Sequence, residues 1–371
     1  MADEALQRRL ERILLGGERK YTRLRVAEKA GVPEHRSRRL WRALGFATAS
    51  DEQVVFTDAD VEAMRITDGL VRARLIDESM EGAVARAVGL HLSRLAEWQV
   101  HLLWELINDN PELAADESRI GELVDKLLPE LERVQNFVWR RHLAAYAGRA
   151  LAAPDENLEA RTEVVGFVDM VGYTRMTRRI DESELGTILE RFETVATDAI
   201  AEHHGRVVKM IGDEVLFVAD SPVDAAEIAL TLTERTGADV DLPSVRAGMA
   251  SGRILNRFGD VYGSVVNLAS RLTSVARPDT ILVDREMAAA LADEPAYELR
   301  NRRPVSVRGY HRLRSAALRR ARERPQGGVF ASGQQLAAEM LGINSGDASG
   351  TRASEPGPRR RGRGRGRDAE A

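Results

Sequence analysis

The sequence predicts an α+β chain: an all-α N-terminal region, then a domain built on a largely antiparallel sheet with helices packed on one face. Three observations carry this. Residues 76–153 read as helix nearly throughout. Residues 161–315 alternate strand and helix signals. Within them two apolar strands, 206–211 and 214–219, are separated only by Gly212-Asp213, the spacing of a tight hairpin. The chain divides accordingly into an all-α region (1–153), a sheet domain (154–320) and a Gly/Ser/Ala/Arg-rich tail (321–371) whose apolar content is too low to offset its ordering entropy.

Composition bounds the chemistry. The 371 residues are 43% hydrophobic and 30% charged, with a formal net charge of −4, so the chain as a whole does not carry the excess of positive charge that binds nucleic acid unspecifically. There is no cysteine, which removes disulfides, thiolate metal sites and cysteine nucleophiles. No apolar run reaches the roughly 18–20 residues that span a bilayer. The N-terminus opens with acids and lacks an apolar signal core, so a cytoplasmic location is expected.

The elements follow in order. Residues 21–46 place Val26-Ala27 and Ala30-Gly31-Val32 as a helix, a glycine turn and a second helix, with Trp41, Leu44 and Phe46 beneath. This resembles a winged helix-turn-helix of the MerR type, in which Arg36, Arg38 and Arg39 would face DNA. The competing reading is a scaffold for regulation and dimer contact. Phe56-Thr57-Asp58-Ala59-Asp60 reads as an N-cap before another helix. Met80, Val84, Val88, Leu92 and Leu95 recur at helical spacing and are expected in a core. A helix from about Pro129 passes through Trp139, Tyr146 and Leu151 and is stopped by Pro154. In the sheet domain, 163–169 is a buried strand closing on Asp169, followed by a turn containing Gly172 and a helix over 182–203. After the hairpin come a helix over 222–236, a strand over 245–251, an excursion over 252–263, a helix over 264–275, a strand over 280–284 and a final hairpin over 297–312. The tail ends in six arginines within 359–367, a solvated face or a weak, salt-sensitive anion contact.

Two acids stand out. Asp169 ends the first strand and Asp213 sits at the hairpin tip, so pairing the hairpin beside that strand brings both carboxylates to one sheet edge. Like charges held close call for a cation between them. Oxygen-only ligands favour Mg²⁺ or Mn²⁺ over zinc. Strand-end and hairpin-tip aspartates are also common as plain caps and turns.

The runs GFVDMVGYT, KMIGDEVLFV and FGDVYGSVVNLASR, in this order, resemble the catalytic domain of class III adenylate cyclases over roughly 160–315. The resemblance implies a ferredoxin-like palm fold, ATP as substrate, and two Mg²⁺ or Mn²⁺ ions held by Asp169, Asp213 and the Met170 carbonyl. It implies that Lys209 and Asp260 read adenine, that Asn267 and Arg271 serve the transition state, and that Arg308 meets the triphosphate. It further implies a head-to-tail homodimer with each site shared between chains. The donor and acceptor logic agrees. Lysine only donates, which suits adenine N1, and ionised aspartate only accepts, which suits the N6 amine. Guanine reverses both. Asn267 and Arg271, four apart in a helix, share a face. The diguanylate cyclases are a poorer match, because Ile211 stands where their second hairpin glycine belongs. The layout also resembles actinobacterial cyclases with a pH-responsive N-terminal domain, which makes His91, His101 and His142 candidate sensors, with lipid control of the same module an equally open alternative. The alternative is a DNA-binding regulator whose cyclase domain senses nucleotide without turnover.

Overall fold

The computed structural model of the protein describes residues 4–46, 50–152, 160–307 and 309–321. Arg308, the helix stop at Pro154 and the arginine-rich end lie outside the described residues. Met1–Arg320 forms one compact unit.

The N-terminal part is helical: α1 (Glu4–Leu14), α2 (Arg23–Ala30), α3 (Glu34–Ala43), α4 (Asp58–Arg72), α5 (Glu78–Asn108), α6 (Pro111–Ala114) and α7 (Glu117–Ala152). The Thr22 hydroxyl caps α2 by accepting from the Arg25 amide, and Gly31, at φ 72°, closes it in the left-handed conformation. The expected helix–turn–helix therefore forms. Its core is Val26, Leu40, Trp41, Val61 and Met64. A capping box starts α4: the Thr57 amide donates to the Asp60 carboxylate at 2.7 Å. Gly89 lets α5 meet the end of α3, since a Cβ there would lie 2.2 Å from the Leu44 carbonyl oxygen.

Three expectations change here. Arg36 does not face outward. It is buried, with Nε and Nη2 on Glu81 at 3.0 and 2.7 Å and Nη1 on Asp68 at 2.5 Å, so it joins α3 to α4 and α5. Arg38 and Arg39 remain partly exposed and pair with Asp51 and Glu78, each at 3.5 Å. Met80, Val88 and Leu92 are exposed rather than core. Pro129 lies inside α7 rather than at its start, a position that costs one backbone hydrogen bond.

The sheet domain comprises β1 (Ala160–Met170), α8 (Tyr173–Met176), α9 (Glu182–Glu202), β2 (Arg206–Ile211), β3 (Glu214–Ala219), α10 (Pro222–Ala238), β4 (Val245–Arg257), β5 (Asp260–Tyr262), α11 (Ser264–Val275), β6 (Ile281–Val283), α12 (Arg285–Ala290), β7 (Tyr297–Asn301), β8 (Val305–Val307), β9 (Tyr310–Leu313) and β10 (Ala316–Arg320). The main sheet runs β2-β3-β1-β4-β6-β10-β7, with β5 pairing β4; β8 and β9 form a separate ribbon. Among the described residues only β4–β6 is parallel. The expected final hairpin over 297–312 is thus β7 followed by most of the β8–β9 ribbon, and β7 pairs instead with β10 beyond it. The excursion is the long β4 turning back as β5.

Period-two alternation gives β1 two buried faces. Val164 and Val168 pack under α9 and α10 with Phe192, Ile200 and Ile228, whereas Val165 and Phe167 pack under α11 with Val265 and Ala269. Helices therefore cover both faces, with α11 opposite the others. Gly248 permits this. An added Cβ would lie 2.2 Å from the Thr273 amide nitrogen and 2.6 Å from the Ala269 carbonyl oxygen, so α11 rests directly on the β4 backbone.

Candidate active site

The β2–β3 hairpin pairs antiparallel with β1, setting Asp169 opposite Glu214 on one side and opposite Arg246 of β4 on the other. The Met170 amide donates to the Asp213 carbonyl at 3.0 Å, which fastens the hairpin tip to the end of β1. Asp169 and Asp213 consequently share one sheet edge, as expected. They line an open cleft of about 480 Å³ with Met170, Gly172, Tyr173 and Arg246. Gly172, at φ 83°, turns the chain into the single helical turn α8.

The cleft's electrostatics are those of crowded carboxylates beside one cation. Burial pushes the Asp213 carboxyl above its ordinary range, and the neighbouring Asp169 adds to the shift. Glu214 is pushed up to about 7, first by burial and then by Asp169 and Asp213, with Arg246 opposing. Arg246 grips one oxygen of Asp169 from Nε at 2.7 Å and Nη2 at 2.6 Å. Among the described residues no group of three or more His, Cys, Asp or Glu gathers as a closed metal cage. Two carboxylates plus main-chain oxygen suit Mg²⁺ or Mn²⁺, which take their remaining ligands from water and phosphate.

Sequence reasoning missed Arg246 and Glu214. Their signal is register, since both are direct cross-strand neighbours of Asp169. Lys209 of β2 and Asp260 of β5 do meet, with Nζ 2.7 Å from Oδ2 and both side chains partly exposed. Asp260 also accepts from the Val261 amide at 2.8 Å. Asn267 and Arg271 lie one turn apart on α11, away from its buried positions Val265, Ala269 and Leu272, and neither side chain is hydrogen-bonded among the described residues. None of these four lines the aspartate cleft. Of the three candidate sensor histidines, all exposed, His91 touches the sheet domain: its Nε2 is 3.5 Å from the Phe258 carbonyl, two residues before Asp260.

The sheet edge thus concentrates carboxylates beside Arg246. The family described as Adenylate and Guanylate cyclase catalytic domain matches residues 159–319. An adenylate cyclase of Streptomyces coelicolor is 46% identical over 301 residues, covering 80% of this chain and 79% of its own. One from Glutamicibacter nicotianae is 36% identical, covering 81% of this chain and 79% of its own. A pH-sensitive adenylate cyclase of Mycobacterium tuberculosis is 34% identical, covering 76% and 73%. The chain belongs to the class III adenylate cyclases. No helix among the described residues is long and apolar enough to cross a membrane.

Proposed function

We propose that two copies of this chain convert ATP to 3′,5′-cyclic AMP and pyrophosphate, with residues 154–320 as the catalytic domain and 1–153 regulating it. The carrying observation is that one chain holds two half-sets of groups in separate places. Asp169, Asp213 and Arg246 line one cleft, while Lys209, Asp260, Asn267 and Arg271 stand outside it. A head-to-tail dimer places each half-set against the other's complement twice over.

Asp169, Asp213 and the Met170 carbonyl would hold two divalent cations, Mg²⁺ or Mn²⁺. When bound, these supply Lewis acidity toward the ribose 3′-oxygen and the phosphate oxygens. Arg246, beside the carboxylates, offers donors to the triphosphate in addition to Arg308. Lys209 donates to adenine N1 and Asp260 accepts from N6, so the base replaces their mutual ion pair. Asn267 orients the ribose and Arg271 meets the charge that develops at the α-phosphate. The 3′-oxygen attacks the α-phosphorus and pyrophosphate leaves. In the N-terminal region, the His91 contact with the Phe258 carbonyl in the β4–β5 turn, which leads into Asp260, supports regulation of the catalytic domain by the helical region.

The test is cyclic AMP formation from ATP with Mn²⁺ by the full chain. Asp213→Ala should abolish it. Lys209→Glu with Asp260→Cys should lower the preference for ATP over GTP. Product formation by the Asp213→Ala chain at the wild-type rate overturns the reading.

A further inference from the structure

Lys209 and Asp260 meet although no backbone pairing joins their strands. Lys209 is on β2 and Asp260 on β5, which pairs β4, while β3 and β1 stand between β2 and β4 in the sheet. Among the described residues two side-chain hydrogen bonds connect β2 to the β4–β5 hairpin. One is the Lys209–Asp260 pair itself. The other comes from Arg206, whose Nη2 donates to Asn256 Oδ1 at 3.1 Å. Asn256 in turn donates from Nδ2 to Glu163 Oε1 at 3.0 Å, and Arg206 Nη2 lies 3.7 Å from the second Glu163 oxygen. Glu163 is buried near the start of β1. A carboxylate, an amide and a guanidinium therefore close a triangle across β1, β4 and β2.

The local backbone is built to allow this. Three residues apart in an unbroken strand, Arg206 and Lys209 would point to opposite faces of the sheet. Arg206 instead pairs opposite Val218 and Lys209 opposite Leu216, so β2 carries a one-residue bulge at Val208. Leu216 and Val218 both belong to the apolar layer under α11, and Val208 packs against it. The bulge thus sets Arg206 and Lys209 on one face, the former to reach Asn256 and the latter Asp260. On the other side, Asn256 stands opposite Val261 and Arg257 opposite Asp260, so the clamp acts one pair away from Asp260. β5 has three residues, and so short a ribbon does not hold its aim on ladder bonds alone.

We propose that Glu163, Asn256 and Arg206 are positioning residues for base selection, fixing the separation of Lys209 and Asp260 so that one purine edge fits between them. The inference rests on the reading of Lys209 and Asp260 as the adenine contacts. When the base replaces their ion pair, that tie between β2 and β5 opens. The Arg206–Asn256 bond is then the direct hydrogen bond left between the two arms, and buried Glu163 anchors it. A gap held at one width penalises a base whose donors and acceptors are misplaced; a gap free to widen admits water and accepts either purine.

The experiment is steady-state kinetics of the full chain with Mn²⁺, using ATP and GTP in turn, with urea unfolding midpoints measured alongside. Asn256→Ala should raise KM for ATP about tenfold, hold kcat with ATP within about twofold, and lower the preference for ATP over GTP about tenfold. Asn256→Asp should act in the same direction, because its carboxylate would face that of Glu163. Adding Glu163→Gln to Asn256→Asp exchanges donor and acceptor across that bond, and the preference should return to within about threefold of wild type. This pair carries the test if Asn256→Ala does not fold. An unchanged preference in the Asn256 variants overturns the inference, and so does an equal loss with both nucleotides that the double substitution leaves unrepaired. Lys209→Glu with Asp260→Cys separates the two readings. If it shifts the preference and the Asn256 variants do not, the clamp falls and the base-reading pair stands. If it leaves the preference untouched, the base reading falls and takes the clamp with it.

Discussion

Gly248→Ala isolates the placement of α11 from everything else in the active site. The glycine has no unusual φ, so alanine brings no backbone strain of its own. The difficulty is space: the new Cβ meets the Thr273 amide nitrogen at 2.2 Å and the Ala269 carbonyl oxygen at 2.6 Å, both main-chain atoms that no rotamer change can move. Restoring ordinary contact at 3.4 Å requires α11 to move about 1.2 Å away from β4. Overpacking of this kind costs ~1–3 kcal/mol of stability. Because Asn267 and Arg271 ride on α11, a displacement of ~1 Å should lower kcat about 100-fold. Lys209 is on β2 and is not carried with α11, so KM for ATP should change little. Initial rates of cyclic AMP formation with Mn²⁺, together with a urea unfolding curve, measure both effects. Gly186→Ala in α9 serves as control, since nothing lies within 4 Å of its Cβ position; it should be neutral or slightly stabilising. A Gly248→Ala enzyme that is destabilised but retains full kcat would refute the role given to the α11 residues.

Arg36→Ala leaves Asp68 with only Arg72 and Glu81 with only Arg39, at 3.5 Å, in the N-terminal core and should cost about 3 kcal/mol, the lower end for a broken buried pair, seen as a lowered midpoint in thermal unfolding; DNA affinity is not the expected readout for a buried side chain. Glu214 titrates near 7 in the fold against an ordinary value of 4.5. The metal-free folded state therefore binds the extra proton between those values, and stability falls as pH rises through that window. Glu214→Gln should flatten this slope by on the order of 1–2 kcal/mol across the window, read from urea midpoints at several pH values. A slope identical to wild type would count against burial of that carboxyl beside Asp169.

Much of this was readable in the residues. Gly212-Asp213 between two apolar strands gave the hairpin, and strand-end Asp169 beside it gave the shared edge. Phe56-Thr57-Asp58-Ala59-Asp60 gave the start of α4 as an N-cap, and the structure completes it as a capping box with Asp60. What escaped was long-range register. Arg246 and Glu214 look like ordinary strand charges until β1 is paired on both sides and each falls opposite Asp169. Arg36 escaped for a related reason: an arginine in a second helix carries the same letter whether it faces a phosphate or the two acids that tertiary structure brings behind it. Met80, Val88 and Leu92 misled because helical periodicity says which face is apolar but not which molecule covers it. Pro129 shows that a single breaker does not end a helix whose other turns are well supported.

The Met170–Asp213 tether has a further consequence. Since the end of β1 is tied to the hairpin tip through main-chain atoms, the backbone spacing from which the two acids reach is set by the peptide. Lengthening either acid by one methylene, Asp169→Glu or Asp213→Glu, keeps the charge and the fold but cannot widen the frame to fit. Cyclic AMP formation by these variants therefore tests reach separately from charge.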